Sequence, residues 1–430
     1  MDELFYDVVV VGGGPAGIGA AIHAARGGAH TLLIEKEGYL GGMGTAACVP
    51  AMGPFLEDEE YLIGGTGQKI FDLIREMEQV PADAGKRWYP IDSELLKRLL
   101  DEMVTESGCD ILFHTRVYDA VVEEDVITRI KCAGKGGCYD VRAEVIIDCS
   151  GDAAVIAAAG GEFEMGDENG EVQAPTLCFK LANFDVQRFL KYQKEEGEDG
   201  NLSLACARAR ENGGFPEDEL KAGGIAFASD DVALFNFGHV YHVDPLDPFS
   251  LSNAEMTARQ KIRKLVRFVK DYVPGGENSI LVSSGPEIGI RETRRIVGLY
   301  TMTGTDHQNR ADFPDAITYY NYSMDLHGNS KEEAEERYAL YQNTKYKKGE
   351  RYGIPYRILV PIRIKNALVA GRCVSTDRNM NAAIRLMPSC FSMGDAAGTA
   401  AAMCVRDHIR PGEVNTYILR ARLKESGVLL

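Results

Sequence analysis

The chain has 430 residues, enough for a sizeable buried core and about two or three domains, and its 45% hydrophobic and 26% charged content describes a globular protein. A formal net charge of -17, from 47 basic and 64 acidic residues, argues against a general nucleic-acid surface but leaves room for a local basic pocket. Ten cysteines without one CxxC exclude a disulfide scaffold, a thioredoxin-like pair and a ferredoxin-type cluster.

The chain opens on Asp2 and Glu3 with no basic region, unlike a secretory signal, and no apolar stretch approaches the roughly 20 residues that span a bilayer. A cytoplasmic protein without membrane insertion is expected. Asp7–Val11, DVVVV, has the unbroken apolar pattern of a central parallel strand. It runs into Gly12-Gly13-Gly14-Pro15-Ala16-Gly17, which fits GxGxxG. Gly12 permits the tight turn, Gly14 clears space for a pyrophosphate, and Gly17 lets the next helix lie close to the sheet. The small residues from Pro15 to Ala25 make a close-packed helix whose N-terminus faces the phosphates, with His23 in a structural place.

AHTLLIEK is the second strand. It ends at Glu35 and Lys36, and the Glu35 carboxylate suits the two hydroxyls of an adenosine ribose while repelling a 2′-phosphate. Gly41-Gly42-Met43-Gly44-Thr45 follows, a loop able to carry the backbone along an extended diphosphate toward a flavin. Helices are expected over Phe71–Val80 and Ser93–Gly108, the latter capped by Ser93. A β-meander is expected from Val117 to Ile147, with Cys132 and Cys138 a loose surface pair at its hairpin. EVIIDCSG then delivers Asp148, Ser150, Gly151 and Asp152 to the carboxyl end of the sheet.

Beyond Gly161 the sequence becomes more polar and richer in Tyr and Asn, and it returns to nucleotide-domain style near Pro355. The expected fold class is α/β: a Rossmann-like dinucleotide domain from residues 1–163 and 355–430, with an α+β cap, 164–354, inserted between them. The cap holds the polar segment GPEIGIRETRRIVGLY, where Arg291, Arg294 and Arg295 stand close together. Their forked donors suit a carboxylate substrate or a diphosphate, or else an Arg–Glu network through Glu292. His239 and His242, in FGHVYHVD, and His327, in MDLHGN, are candidates for proton transfer; beside Asp244 and Asp325 their spacing is too loose for a metal site. Tyr352, Tyr356 and Arg357, with Arg385, suit a pocket rim. Cys48 and Cys390 flank glycine motifs, and their plain reading is small buried thiols.

The motifs GGGPAG with Glu35, Gly41-Gly42, IDCSGDA, GPEIGIRETRRIVGLY, LVAGRCVS and IRLMPSCFSMGDAAGTAAA occur in one order along nearly the whole chain. In that order the chain resembles the glutathione-reductase-type FAD proteins. More closely it resembles bacterial FAD-dependent oxidoreductases related to the succinate dehydrogenase and fumarate reductase flavoproteins and to thiazole-biosynthesis flavoproteins. The resemblance implies FAD and a redox reaction at the flavin. It puts Gly12, Gly14, Ala16 and Gly17 at the diphosphate, Glu35 at the adenosine ribose, and Gly42, Met43 and Thr45 toward the flavin, with Pro15, Lys36 and Gly41 also among the cofactor-binding residues. Val117 would meet adenine through its backbone, with Ser150, Gly151 and Asp152 near the adenosine half. Gly394 and Asp395 would meet the ribityl phosphate, and Gly398 and Thr399 would start a helix aimed at flavin O2.

The function expected is hydride transfer between flavin N5 and a small polar, anionic organic substrate. A flavin hydroxylase or monooxygenase, an electron-transfer subunit and a thiazole-synthase-like protein are the alternatives. A separate electron donor or acceptor and a homo-oligomer fit this picture; a nucleic-acid partner does not.

Overall fold

The computed structural model describes residues 3–77, 88–216, 219 and 222–430. Its centre is the strand Leu4–Val11, whose Val8, Val9 and Val10 are wholly buried because both sheet faces are covered. Thr31–Ile34 pairs with it in parallel on one side and Gly137–Asp148 on the other. Asp110–Leu112 extends the sheet beyond Thr31–Ile34, and Ala367–Val369 pairs in parallel with the end of Gly137–Asp148. The last segment of the chain thereby re-enters the sheet begun by the first.

Register decides where a ligand can sit. Val11 stands opposite both Ile34 and Asp148, and Asp148 stands opposite Val369. Four strands therefore end level, and the segments that leave them open on one crevice.

Gly137–Asp148 does a second job, because its first half pairs antiparallel with Val126–Gly134, which pairs with Arg116–Glu123. This is the expected meander. The helix expected at Phe71–Val80 is Gly65–Met77, with Glu78, Gln79 and Val80 outside the described residues. Asp92, not Ser93, caps the helix Ser93–Glu106: its carboxylate accepts the Glu94 N–H at 2.8 Å, while Ser93 accepts a bond from Lys180 Nζ at 2.7 Å.

A second, antiparallel sheet runs Ile225–Ser229, Val232–Phe235, Phe179–Ala182, Ile280–Ser284. With the helix Pro248–Tyr272 it encloses its own core, in which Phe179, Phe184, Phe189, Phe235, Phe237 and Phe268 interlock. That core closes between Leu177 and Ile288, whereas Ile296, Tyr320, Tyr352 and Ile354 belong to the core of the parallel sheet. The expected cap, 164–354, thus divides its buried side chains between two cores. Among the described residues no helix is long and apolar enough to cross a membrane.

Candidate active site

A cleft of about 640 Å³ opens where the four strands end. Gly12 turns the chain there at φ +102°, and a β-carbon on it would stand 2.5 Å from the Cys149 carbonyl oxygen. Gly14 is different: its added β-carbon would meet nothing nearer than Gly42 Cα at 3.8 Å, so the approach to the helix N-terminus is open. Pro15, Ala16, Gly42 and Met43 line the same wall. Glu35 is buried, with one carboxylate oxygen accepting the Gly13 N–H at 2.6 Å and the other the Glu37 N–H at 2.9 Å. Each oxygen keeps a lone pair for a ligand hydroxyl.

Lys36, Val117, Ser150, Gly151 and Asp152 also face the cleft. Gly17, Gly41 and Thr45 do not. A β-carbon on Gly17 would overlap the Gly12 carbonyl oxygen, so this glycine seats the helix on the turn. Gly41, at φ +110°, leaves room for the Thr45 side chain, whose hydroxyl donates to the Leu40 carbonyl at 2.7 Å. Both shape the loop from behind.

The C-terminal placement needs a larger correction. The helix runs Met387–Asp407 with Pro388 in its first turn, so Gly394, Asp395, Gly398 and Thr399 lie in its interior and none lines the cleft. Gly394 packs on Ala16 and Gly398 on Ala20. The Asp395 carboxylate accepts the Thr66 N–H at 2.9 Å, and Thr399 donates to the Asp395 carbonyl and meets His23 Nδ1 at 3.0 Å. A run of small residues marks a helix–helix contact, whereas Pro388 marks the helix start. The end that faces the cleft is at Met387, beside Arg385 and Cys390. Burial pushes the Cys390 thiol up to about 12, which keeps it a thiol.

The three neighbouring arginines part company. Arg295 is buried against Glu292, with bonds to the Thr376 and Gly166 carbonyls, and Arg378 bonds the same Glu292 at 3.1 Å. Arg295 is therefore part of a closed ion network and has no place in the cleft. Arg294 lines the cleft, donates to the Asp152 carbonyl at 3.2 Å and stacks over Phe163. Arg291 donates to the Ala174 carbonyl at 2.5 Å and to Thr176 Oγ1 at 2.9 Å, with no ion-pair partner among the described residues. Burial, and then the nearby Arg385 charge, lower its pKa to about 10.

Arg385 joins the cleft to a part-buried group of polar side chains, the recess, none of which lines the cleft itself. It lines the cleft and donates to the Asp325 carbonyl at 2.8 Å. In that recess His327 Nε2 lies 3.6 Å from Asp325 Oδ2, and His239 Nε2 lies 2.9 Å from His327 Nδ1. Side-chain exposure from 10% for Arg385 to 31% for Asp325 shows that these deep groups still meet solvent. Burial opposes ionisation of Asp325, but the surrounding charges and hydrogen bonds, Arg385 and Arg291 among them, hold its carboxyl far below the usual range.

Tyr356 is misplaced by the sequence reading. It is buried, and its hydroxyl donates to the Pro411 carbonyl at 2.9 Å. Tyr352 is buried likewise, and Arg357 pairs with Asp315. His242 is exposed beside Glu171.

Arg372 is the residue the sequence reading missed most plainly. Its Nε donates to the Gly151 carbonyl and its Nη2 to Asp152 Oδ1, both at 2.9 Å, within the cleft lining. Burial disfavours ionised Asp152, yet Arg372 and the Thr293 hydroxyl outweigh it and lower its pKa. The signal was present in LVAGRC, an arginine directly after the glycine that ends a strand. Lys36 also pairs with Glu287, whose backbone N–H donates to Ala46, so that wall of the cleft is tied across.

A glycine turn on a helix N-terminus, an acid ending the second strand and a cleft level with the strand ends define a dinucleotide site of the flavoprotein kind. The family model described as FAD dependent oxidoreductase matches residues 7–423, and the chain belongs to that family. Digeranylgeranylglycerophospholipid reductase 1 of Methanococcoides burtonii is 31% identical over 155 residues, covering 34% of this chain and 38% of the relative. Thiamine thiazole synthase of Aeropyrum pernix is 33% identical over 165 residues, covering 35% of this chain and 56% of the relative. The chain thus matches well under two thirds of either relative's length. A solved geranylgeranyl bacteriochlorophyll reductase-like protein from Thermoplasma acidophilum aligns with 99% of this chain and 83% of its own, at 16% identity and TM-score 0.45. The open approach at Gly14, the spare lone pairs of Glu35 and the helix end at Met387 fit an FAD.

Proposed function

We propose that this FAD-dependent oxidoreductase transfers a hydride between flavin N5 and a small polar organic anion held by Arg291 and Arg385. The observation that carries the reading is the charge of the recess. Two guanidiniums face one carboxylate, Asp325, and Arg291 has no acidic partner of its own among the described residues. One positive charge is left over, and a substrate carboxylate would neutralise it with fixed donors in place of water.

Bound FAD supplies the two-electron chemistry. In this reading Gly12, Gly14, Pro15 and Ala16 face its diphosphate, Glu35 its ribose, and the Met387 end of the helix its flavin. Arg372 fixes Asp152 and the Gly151 carbonyl, and so holds the strand-end turn still. The return of Ala367–Val369 to the first sheet supports a cofactor domain built from residues 1–163 and 355–430, which carries Arg385, with Arg291 in the 164–354 segment. The reductases among the relatives are named for a geranylgeranyl phospholipid. A prenyl chain of that length needs an apolar tunnel, whereas this recess presents guanidinium, imidazole and carboxylate groups.

The test is an anaerobic screen of small carboxylates, hydroxy acids and their neutral amides, read as bleaching of the protein-bound flavin. Bleaching by an anion and not by its amide is expected. Equal bleaching by both would overturn the reading.

A further inference from the structure

An anion site needs only the arginines, yet the recess holds a linked row of titratable groups. His239 and His327 face each other, and each outer ring nitrogen faces a carboxylate: His239 Nδ1 lies 3.3 Å from Glu219 Oε2, and His327 Nε2 lies 3.6 Å from Asp325 Oδ2. Glu219 is fully buried, and its other oxygen takes a bond from Lys261 Nζ at 2.8 Å. Lys261 also donates to the His239 carbonyl at 2.6 Å. At the far end the Tyr322 hydroxyl donates to Asp325 at 3.2 Å, and Arg291 and Arg385 face the same carboxylate. Tyr241 stacks on the His239 ring.

Ionised carboxylates only accept, so each outer nitrogen needs a proton to bond its acid, and the link between the rings needs one more. Three links are thus served by two neutral imidazoles, which bring one proton each. One link is always empty. Burial, then the Arg291 charge, hold His327 down at about 3, so this ring does not carry a second proton near neutrality. The contact at Glu219 is the shorter, which puts the resting protons on Nδ1 of both rings and the gap at His327 Nε2, facing Asp325 and the recess.

We propose that Glu219, His239, His327 and Asp325 form a two-position proton switch that takes up, at His327 Nε2, the proton released when the anionic substrate is oxidised. The inference rests on the anion-site reading above. Oxidation of a substrate hydroxyl breaks its C–H bond, with the hydride leaving to FAD, and breaks its O–H bond as the carbonyl forms. The hydroxyl proton bonds to His327 Nε2. The His327 Nδ1 proton passes to His239 Nε2, and the His239 Nδ1 proton passes to Glu219, which becomes a neutral acid. Both rings end neutral, with their tautomers exchanged; substrate reduction runs the same shifts backward. His327 is the catalytic residue of the set, and His239 and Glu219 act through it.

The test is nitrogen NMR of the FAD-loaded protein carrying ring-¹⁵N histidine, assigned with H239Q and H327Q. At neutral pH both rings are expected to be uncharged and protonated at Nδ1. In Glu219→Gln, Lys261 retains the amide oxygen, so the new NH₂ points at His239 Nδ1. His239 must then carry its proton on Nε2, and His327 must follow. Both tautomers are expected to flip together. Opposite tautomers or an imidazolium in the wild type would overturn the switch, as would a His327 that ignores Glu219→Gln. The wild-type spectrum decides alone if the variant does not fold.

The same variant begins with His327 Nε2 occupied. Its flavin bleaching by an anionic substrate is therefore expected to slow by about 100-fold or more, with anion affinity unchanged. Unchanged bleaching would contradict the catalytic use. The tautomers are read without substrate, so a folded protein that binds no anion would defeat the anion-site reading and leave the switch standing.

Discussion

Gly394 rests directly on Ala16: a β-carbon at position 394 would stand 2.0 Å from the Ala16 carbonyl oxygen. The two helices that flank the cofactor crevice touch backbone to backbone at this point, and Gly398 repeats the contact one turn later against Ala20. Gly394→Ala is therefore expected to force the helices apart and cost about 3 kcal/mol, at the upper end of overpacking penalties. Chemical denaturation with flavin content measured in parallel checks it. Full stability and full flavin would show that the helices have room to spare.

Gly14 predicts the opposite balance. Its backbone is extended, at φ -76°, and its β-carbon would meet nothing within van der Waals contact except Gly42 Cα at 3.8 Å. Gly14→Val should fold with a melting temperature near that of apo wild type and yet retain no FAD, because the valine occupies the diphosphate approach. Flavin absorbance after gel filtration is the measurement; a yellow Gly14→Val protein would remove this residue from the site.

Arg295 should behave as structure and Arg291 as function. Removing one partner from a buried ion pair costs about 3–5 kcal/mol, so Arg295→Ala is expected to lose stability while the flavin bleaching rate per bound FAD persists. A stable Arg295→Ala protein with slowed chemistry would reverse that assignment.

The His327 pKa makes a statement about pH. Folding lowers it from 6.5 to about 3, so the unfolded chain binds the proton more readily across that window. Its contribution to stability is complete above about pH 6.5 and is lost as pH falls toward 3, by about 1.4 kcal/mol per pH unit. Urea unfolding at several pH values should show a shallower acid slope in His327→Gln than in wild type. Equal slopes would mean that His327 titrates normally in the folded protein.

What the sequence disclosed was local. The strand, turn and helix through Gly12, Gly14 and Gly17, and the acid at Glu35, occupy one short stretch, so their spacing alone encodes their relation. The start of the helix Met387–Asp407 was misjudged because glycine before an alanine run resembles both a phosphate turn and a helix contact. Only the packing against Ala16 and Ala20 of the first helix tells them apart. Tyr356 read as a rim residue because a tyrosine carries a hydroxyl, whereas its acceptor, the Pro411 carbonyl, is supplied by a distant turn. Glu219 became visible only when strands and loops far apart in sequence met, whereas Arg372 was signalled locally by LVAGRC. The separate fates of Arg291, Arg294 and Arg295 follow from Glu292 and Arg378 claiming one of the three, a choice that three adjacent arginines do not express.

In the proposed function, Arg291 supplies the charge that holds the substrate anion beside the flavin. The measurement is the anaerobic bleaching of bound flavin by the anionic substrate in wild type, Arg291→Lys and Arg291→Ala, each normalised to bound FAD. Loss of a buried charged partner costs about 2–5 kcal/mol, so the ratio of bleaching rate to substrate Kd should fall by about 30-fold or more in Arg291→Ala. Arg291→Lys, which keeps the charge and loses the fork, should fall between the two. Bleaching that is unchanged in both variants would contradict the account.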